Sequence, residues 1–305
     1  MNKNEIPSIS SRKSPFISVS ILIKDLKSLL KAGVLAANVL PVFSGFWLAL
    51  HFTNKSFLDY WELFLLTMIG STLVMGGALI LNNWYDVDID TIMERTKSRP
   101  TVTGNIPLNV VLTMGIVFTV LGFIFLIFTT LEAAIYGLVG WFTYVFLYTM
   151  WSKRRYTFNT VIGSVSGAVT PLIGWTVIES SLHIIPLMLF LILFIFQMPH
   201  TFAIAMKKCK EYSAAGVAML PVVRGFAVTK VQIVVYVACL LPLPFFLAPL
   251  GTPFFVLATL FNVGWLGVAI SGFFTKNDLK WAHVNFLYSV NYITILFLLM
   301  VFVTI

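Results

Sequence analysis

Charge is what this sequence has least of. Asp, Glu, Lys and Arg make up 10% of its 305 residues, where a water-soluble protein carries about a quarter. So few charges cannot clothe a globule in water, which excludes soluble enzymes and disordered chains alike. Cysteine is almost missing too: Cys209 and Cys239 have neither CxxC nor metal-ligand spacing, which excludes a disulfide-stapled fold. A cleavable leader is also not expected. The apolar run 16–23 is short and is followed by Lys24, Asp25 and Lys27 instead of a small-residue cleavage site.

Hydrophobicity is what is there. Apolar types account for 59% of the chain, and the mean hydropathy is +0.93. About 180 apolar residues, at roughly 20 per crossing, cap the number of transmembrane helices near nine. Apolar stretches bounded by charge or turn residues fall near 32–51, 61–82, 108–128, 132–151, 159–178, 182–206, 228–249, 253–274 and 284–304. Helices are expected at that depth, because each peptide group must be satisfied internally. The expected fold is an all-α polytopic bundle over 32–305, preceded by an extension over 1–31. The mixed apolar and basic stretch 16–31 is expected to lie along the membrane interface.

The sign of the scarce charge tests this division. With the N-terminus inside, nineteen of the twenty Lys and Arg residues fall in inner segments, and only Lys55 falls outside. A missed helix would invert every later loop and destroy that skew, so nine helices, N-inside and C-outside, are expected. The net charge of +8, which in a soluble protein would point to nucleic acid, reads here as topology. The long loops 83–107 and 207–227 both face inward, and chemistry is expected there, on the cytoplasmic side of the cell membrane.

Four of the twelve acidic residues lie in LNNWYDVDIDTIMERTKSRP. Asn82, Asp86 and Asp90 are spaced i, i+4, i+8, which on a helix drifts by only about 80° and forms one oxygen-rich stripe. Asp88 points away from it. A calcium loop would need Gly and Glu where Thr91 and Lys97 stand, so that reading fails. A solvated helix end is the plain competitor. Three oxygen side chains in register beside an apolar core are costly unless they bind something. Magnesium suits them, because it takes a few carboxylates and leaves other positions to substrate phosphates. Arg95, Lys97 and Arg99 follow and are placed to grip the remaining phosphate oxygens.

A second cluster leaves the sixth stretch through FQMPHTFAIAMKKCKEYSAAGVAMLPVVRG. His200, Lys207 and Glu211, at i, i+7, i+11, share one face of a continuous helix within about 40°. A hydrogen-bonded structural histidine and ordinary topology lysines are the competing readings. Lys153, Arg154 and Arg155 form a third basic run. Small residues after it, among them Gly163, Gly167 and Gly174, read mainly as helix packing.

Together these residues resemble the UbiA superfamily of intramembrane prenyltransferases, whose first motif, NxxxDxxxD, matches Asn82, Asp86 and Asp90. DVDIDTIMERTKSRP, KRRYTFNTVIGSVSGAVTPLIGW and the second-cluster string narrow the resemblance to its heme branch, over about residues 30–290. The resemblance implies farnesyl diphosphate and heme b as substrates and Mg2+ as cofactor. It implies that Asn82, Asp86 and Asp90 hold the metal, with Lys207 joining them in catalysis. Arg95, Arg99, Lys153 and Arg154 would bind the diphosphate, and His200 and Glu211 the heme. Most of the superfamily carries a second aspartate-rich motif; here the matching helix offers one carboxylate, Glu211. A downstream heme-modifying enzyme docking on the chain is a further implied partner. Two alternatives stay open: an aromatic acceptor, as in quinone-type prenyltransferases, and a secondary transporter, whose coupling acids normally sit at the midplane.

Overall fold

The computed structural model describes residues 19–305, and among them every regular element is helical. The stretch 1–18 of the N-terminal extension lies outside the described residues. The extension ends in α1 (Val19–Leu29), whose Val19, Ile21, Leu22 and Ile23 face outward. Its one acid, Asp25, is buried and accepts from Asn105 Nδ2 at 3.0 Å. Lys31 then turns the chain in a left-handed conformation, φ 46°.

Eight helices are long and apolar enough to cross a membrane among the described residues. They comprise α2 (Ala32–Phe52), α3 (Phe57–Tyr85), α6 (Leu108–Ile127), α7 (Leu131–Phe142) with the π-helical run Thr143–Ser152, α10 (Ile184–Lys207), α12 (Leu220–Leu240) with α13 (Leu243–Phe246), α14 (Thr252–Ile270) and α15 (Asp278–Phe302). Between α3 and α6 stand the short α4 (Val87–Asp90) and α5 (Pro100–Thr103), and α11 (Cys209–Ala214) follows α10. Large apolar side chains such as Ile124, Leu138, Val231, Leu260 and Leu298 point outward along these helices. In water they would be an aggregation hazard; lipid is the solvent they fit.

The stretch expected as one span over 159–178 differs. It forms two short helices, α8 (Asn159–Ala168) and α9 (Thr170–Trp175), parted at Val169. Pro171 stands in the first turn of α9, where its missing N–H costs nothing, whereas inside one long helix it would remove a backbone bond. The sequence also placed the seventh helix at 228; it starts at Leu220, with a break at Gly225 (φ 77°). The α2–α9 crossing is very close: a Cβ on Gly174 would meet the Val42 carbonyl oxygen at 1.9 Å, and one on Gly45 the Pro171 oxygen at 2.1 Å. Any larger residue forces the backbones apart. This crossing brings the end of α9 against α2, and Thr170 and Ile173 of α9 help wall a cavity within the bundle.

Candidate active site

The acidic stripe forms where α3 runs out of the bundle. Asp86 ends α3, yet the backbone keeps helical spacing through the break: Asp86 N–H donates to the Asn82 carbonyl at 3.0 Å, and Asp90 N–H to that of Asp86 at 2.9 Å. The Asn82, Asp86 and Asp90 side chains therefore line up, each at most 3% exposed. Asn82 Nδ2 donates to Asp86 Oδ2 at 2.7 Å and to Thr149 Oγ1 at 3.0 Å. Asp88 points away from them, as the spacing predicts, and is largely exposed.

Basic side chains from three separate segments close on this stripe. Lys153 pairs with Asp86 and Arg99 with Asp90, both ion pairs nearly sealed from solvent. Arg154 binds Asp88 with both guanidinium arms, at 2.6 and 2.8 Å, and lies 3.6 Å from Asp86 Oδ1. The Arg154 hydrogen bond lowers the Asp88 pKa, and the same bond raises that of Arg154. Arg95 is exposed and makes no ion pair among the described residues, while Lys97 pairs with Glu94 at 2.6 Å. Lys31 donates to Asn82 Oδ1 from the turn before α2. Burial, followed by repulsion from Arg99 and Lys153, holds its pKa well below the usual lysine range.

The site therefore holds two buried carboxylates, one amide and three inward-facing cations. Asp86 Oδ1 is buried without a hydrogen bond, a state that costs free energy until something takes the lone pair. No group of three or more His, Cys, Asp and Glu converges on one point among the described residues. A cation completed by ligand oxygens does not need one: magnesium is commonly held by one or two carboxylates plus phosphate and water. The residues fit a divalent cation that arrives with a phosphorylated ligand, and the basic groups then have oxygens of that ligand to bind.

Above the stripe lies a cavity of about 230 Å³ walled by α2, α3, α7 with its π run, α8, α9 and α10. Tyr144, Tyr148 and Thr160 stand toward its end nearer the acids, and Val74, Gly137 and Ile173 line its far end. Most of the lining is apolar or small; Asn38, Gln197 and Thr201 add polar points. The π run widens the helix by one residue per turn, seen in the Lys153 N–H bond to the Tyr148 carbonyl at 2.9 Å. It carries Tyr144, Tyr148 and Thr149 to the cavity and the stripe while delivering Lys153 to Asp86. Tyr212 on α11 packs with Ile89 and Met93, so the segment after α10 covers the acidic turn, and burial raises the Tyr212 pKa.

The second cluster is placed elsewhere. α10 ends at Lys207, so His200, Lys207 and Glu211 do not share a continuous helix. Glu211 pairs with Lys208 at 2.7 Å. His200 meets Ser289 and Lys207 meets His283, both in the seam with α15, and neither lines the cavity. Sequence reasoning missed Lys31, Tyr144 and Thr149. Topology alone accounts for a lysine before the first span, and nothing in a run of aromatic and hydroxyl residues marks which of them face inward.

A helical bundle in lipid, with an apolar cavity one helical turn from metal-type acids and a ring of cations, is the architecture of an intramembrane enzyme for a long apolar chain with a phosphate head. The chain belongs to the UbiA prenyltransferase family, whose model matches residues 38–290, and it is an integral membrane protein. It is 56% identical over 286 residues to a protoheme IX farnesyltransferase of Oceanobacillus iheyensis, covering 93% of this chain and 91% of the relative. Among solved structures it resembles a digeranylgeranylglyceryl phosphate synthase (TM-score 0.73, 17% identity, 92% of this chain and 98% of that one). It also resembles a UbiA homologue from Archaeoglobus fulgidus bound to DMAPP and Mg2+ (TM-score 0.69, 14% identity, 90% and 99%).

Proposed function

We propose that this protein transfers the farnesyl group of farnesyl diphosphate to a vinyl group of heme b, with addition of water, giving heme o and diphosphate. The observation that carries the reading is the buried Asn82, Asp86 and Asp90 stripe, ringed by cations beside an apolar cavity. Protoheme IX farnesyltransferases 52 to 56% identical to this chain support the choice of acceptor. In this reading Asn82, Asp86 and Asp90 hold Mg2+. The metal supplies Lewis-acid stabilisation of the charge that develops on the leaving diphosphate.

Arg99, Lys153 and Arg154 exchange their carboxylate partners for diphosphate oxygens, Arg95, without such a partner among the described residues, swings in to bind them too, and Lys31 adds a further cation. The C1–O bond of the substrate breaks as this charge is neutralised. The vinyl group forms a bond to C1, water adds to the resulting cation beside the porphyrin, and one proton leaves. The cavity keeps the chain and the first cation away from bulk water, with Tyr144 and Tyr148 presenting aromatic faces near the reacting end. Lys207 adds fixed positive charge, and His200 and Glu211 are assigned to the heme side.

The active site faces the cytoplasm across the cell membrane, with α8 and α9 together making a ninth crossing that leaves the N-terminus inside and the C-terminus outside. The inner bias of Lys and Arg supports that orientation. A heme-modifying enzyme that consumes the product docks at the membrane face. Membranes containing the protein, incubated with heme b, farnesyl diphosphate and Mg2+, are expected to yield a species with the mass of heme o. Absence of that mass, with prenylation of a quinone precursor instead, would move the acceptor to the aromatic class.

A further inference from the structure

One seam of the bundle collects chemistry-bearing side chains away from the acidic stripe. It runs between α10 and α15. His200 Nδ1 lies 2.8 Å from Ser289 Oγ. Ser289 is fully buried, and its hydroxyl donates to the Phe286 carbonyl at 2.6 Å. A serine hydroxyl has one proton; once that proton is committed to a carbonyl, the oxygen faces its other neighbour as an acceptor. Nδ1 of His200 is then the protonated ring nitrogen, and Nε2 keeps the lone pair.

The ring is also held in plane. Phe196 stacks on it with centroids 5.3 Å apart and planes 26° apart, and Phe286 lies 5.4 Å away. His200 is only partly buried. Its Nε2 makes no hydrogen bond among the described residues and is not one of the enclosed polar atoms. A neutral imidazole with one nitrogen tied to a hydroxyl and the other bare is the arrangement of a metal-ligating histidine. Seven residues on, and about 10 Å nearer the surface along the helix, Lys207 shares this face. Its Nζ is 2.7 Å from His283 Nδ1 and 4.8 Å from the Phe286 ring centre, with no carboxylate partner among the described residues. An ammonium without a carboxylate there suits an acid group at the edge of a flat apolar ring.

We propose that Ser289 is a positioning residue: it fixes His200 in the Nδ1–H tautomer, so that Nε2 is offered to the iron of the heme acceptor at the α10–α15 seam, with Lys207 and His283 facing the propionates. This inference rests on the heme-acceptor reading. Carbon–carbon bond formation at the vinyl group requires a macrocycle that is held still, and an axial nitrogen of fixed tautomer supplies one anchor.

The test is a heme b titration of the full chain in detergent, followed by absorption and resonance Raman spectra, with farnesyl diphosphate binding measured in parallel. Loss of the Ser289 hydroxyl in Ser289→Ala is expected to weaken heme binding by about 10- to 100-fold, the usual cost of removing a partner of a metal-bound histidine. The histidine-ligated signature is lost, while farnesyl diphosphate binding stays unchanged and shows that the variant folds. Ser289→Thr retains the hydroxyl and recovers both signals. In His200→Gly, added imidazole restores the signature. A Ser289→Ala protein with the affinity and spectrum of the starting protein overturns the inference, as does a starting protein that binds heme with no histidine signature. Failure of the starting protein to bind heme saturably removes the acceptor reading itself.

Discussion

Asp86→Asn separates what the acidic stripe does for stability from what it does for chemistry. The Asp86 side chain is 1% exposed and that of its partner Lys153 is 13% exposed, so the substitution strands an ammonium in a nearly closed site. Removing one member of a buried pair costs about 3–5 kcal/mol, because the remaining charge is left without compensation. Asparagine keeps an acceptor oxygen, which places the expected loss near the lower end, about 3 kcal/mol or two powers of ten in the folding equilibrium. Turnover is expected to fall by about 100-fold or more, the scale on which losing one stabilising group at a developing charge is felt. Adding Lys153→Met removes the stranded charge and is expected to return most of the stability and none of the turnover. The assays are thermal unfolding in detergent and farnesyl transfer with Mg2+. Turnover within tenfold of the starting protein in the single variant, or no stability gain in the double variant, would refute the reasoning.

Lys31 supplies a pH-dependent counterpart. Burial holds its pKa below the ordinary 10.5, so over the window between the two values the unfolded chain binds the extra proton and stability rises with pH. Lys31→Met is expected to lose that rise on the approach to pH 10.5 and to weaken farnesyl diphosphate binding about tenfold, the value of one hydrogen bond to a charged group; parallel melting curves for the two proteins would contradict the first expectation. Ile173 lines the far end of the cavity, and Ile173→Phe is expected to shift preference from farnesyl toward geranyl diphosphate. Competition between the two donors measures it, and an unchanged ratio would mean that the chain does not lie there.

The acidic stripe was legible because helical geometry turns a spacing of four into one face, and the backbone keeps that spacing even across the end of α3. The apolar stretches were legible for the same reason that lipid selects them. Helix ends were harder to read: the stripe through Glu211 assumed that α10 continues, whereas Lys208 takes a non-helical conformation (φ −110°, ψ 20°) and its side chain pairs with Glu211. The partner of Lys31 lies 51 residues away, and no local pattern encodes such a meeting. Pro171 was visible in the sequence, but a proline in an apolar stretch does not announce whether a helix kinks there or restarts. The π run left no trace, because a stretch apolar on every side has no periodicity from which to count residues per turn.

That run, Thr143–Ser152, behaves as a spacer of fixed length. Deleting one residue with no compensating change of winding would rotate everything beyond it by about one residue's turn, roughly 100°. Lys153 would then leave Asp86, and Arg154 would leave Asp88. Substitutions keep the count and leave the charges in place. Selection can therefore reshape the cavity wall here one side chain at a time, while the number of residues is held by contacts at its end. An insertion or deletion in these ten positions is a change of phase, and its effect falls on the diphosphate site.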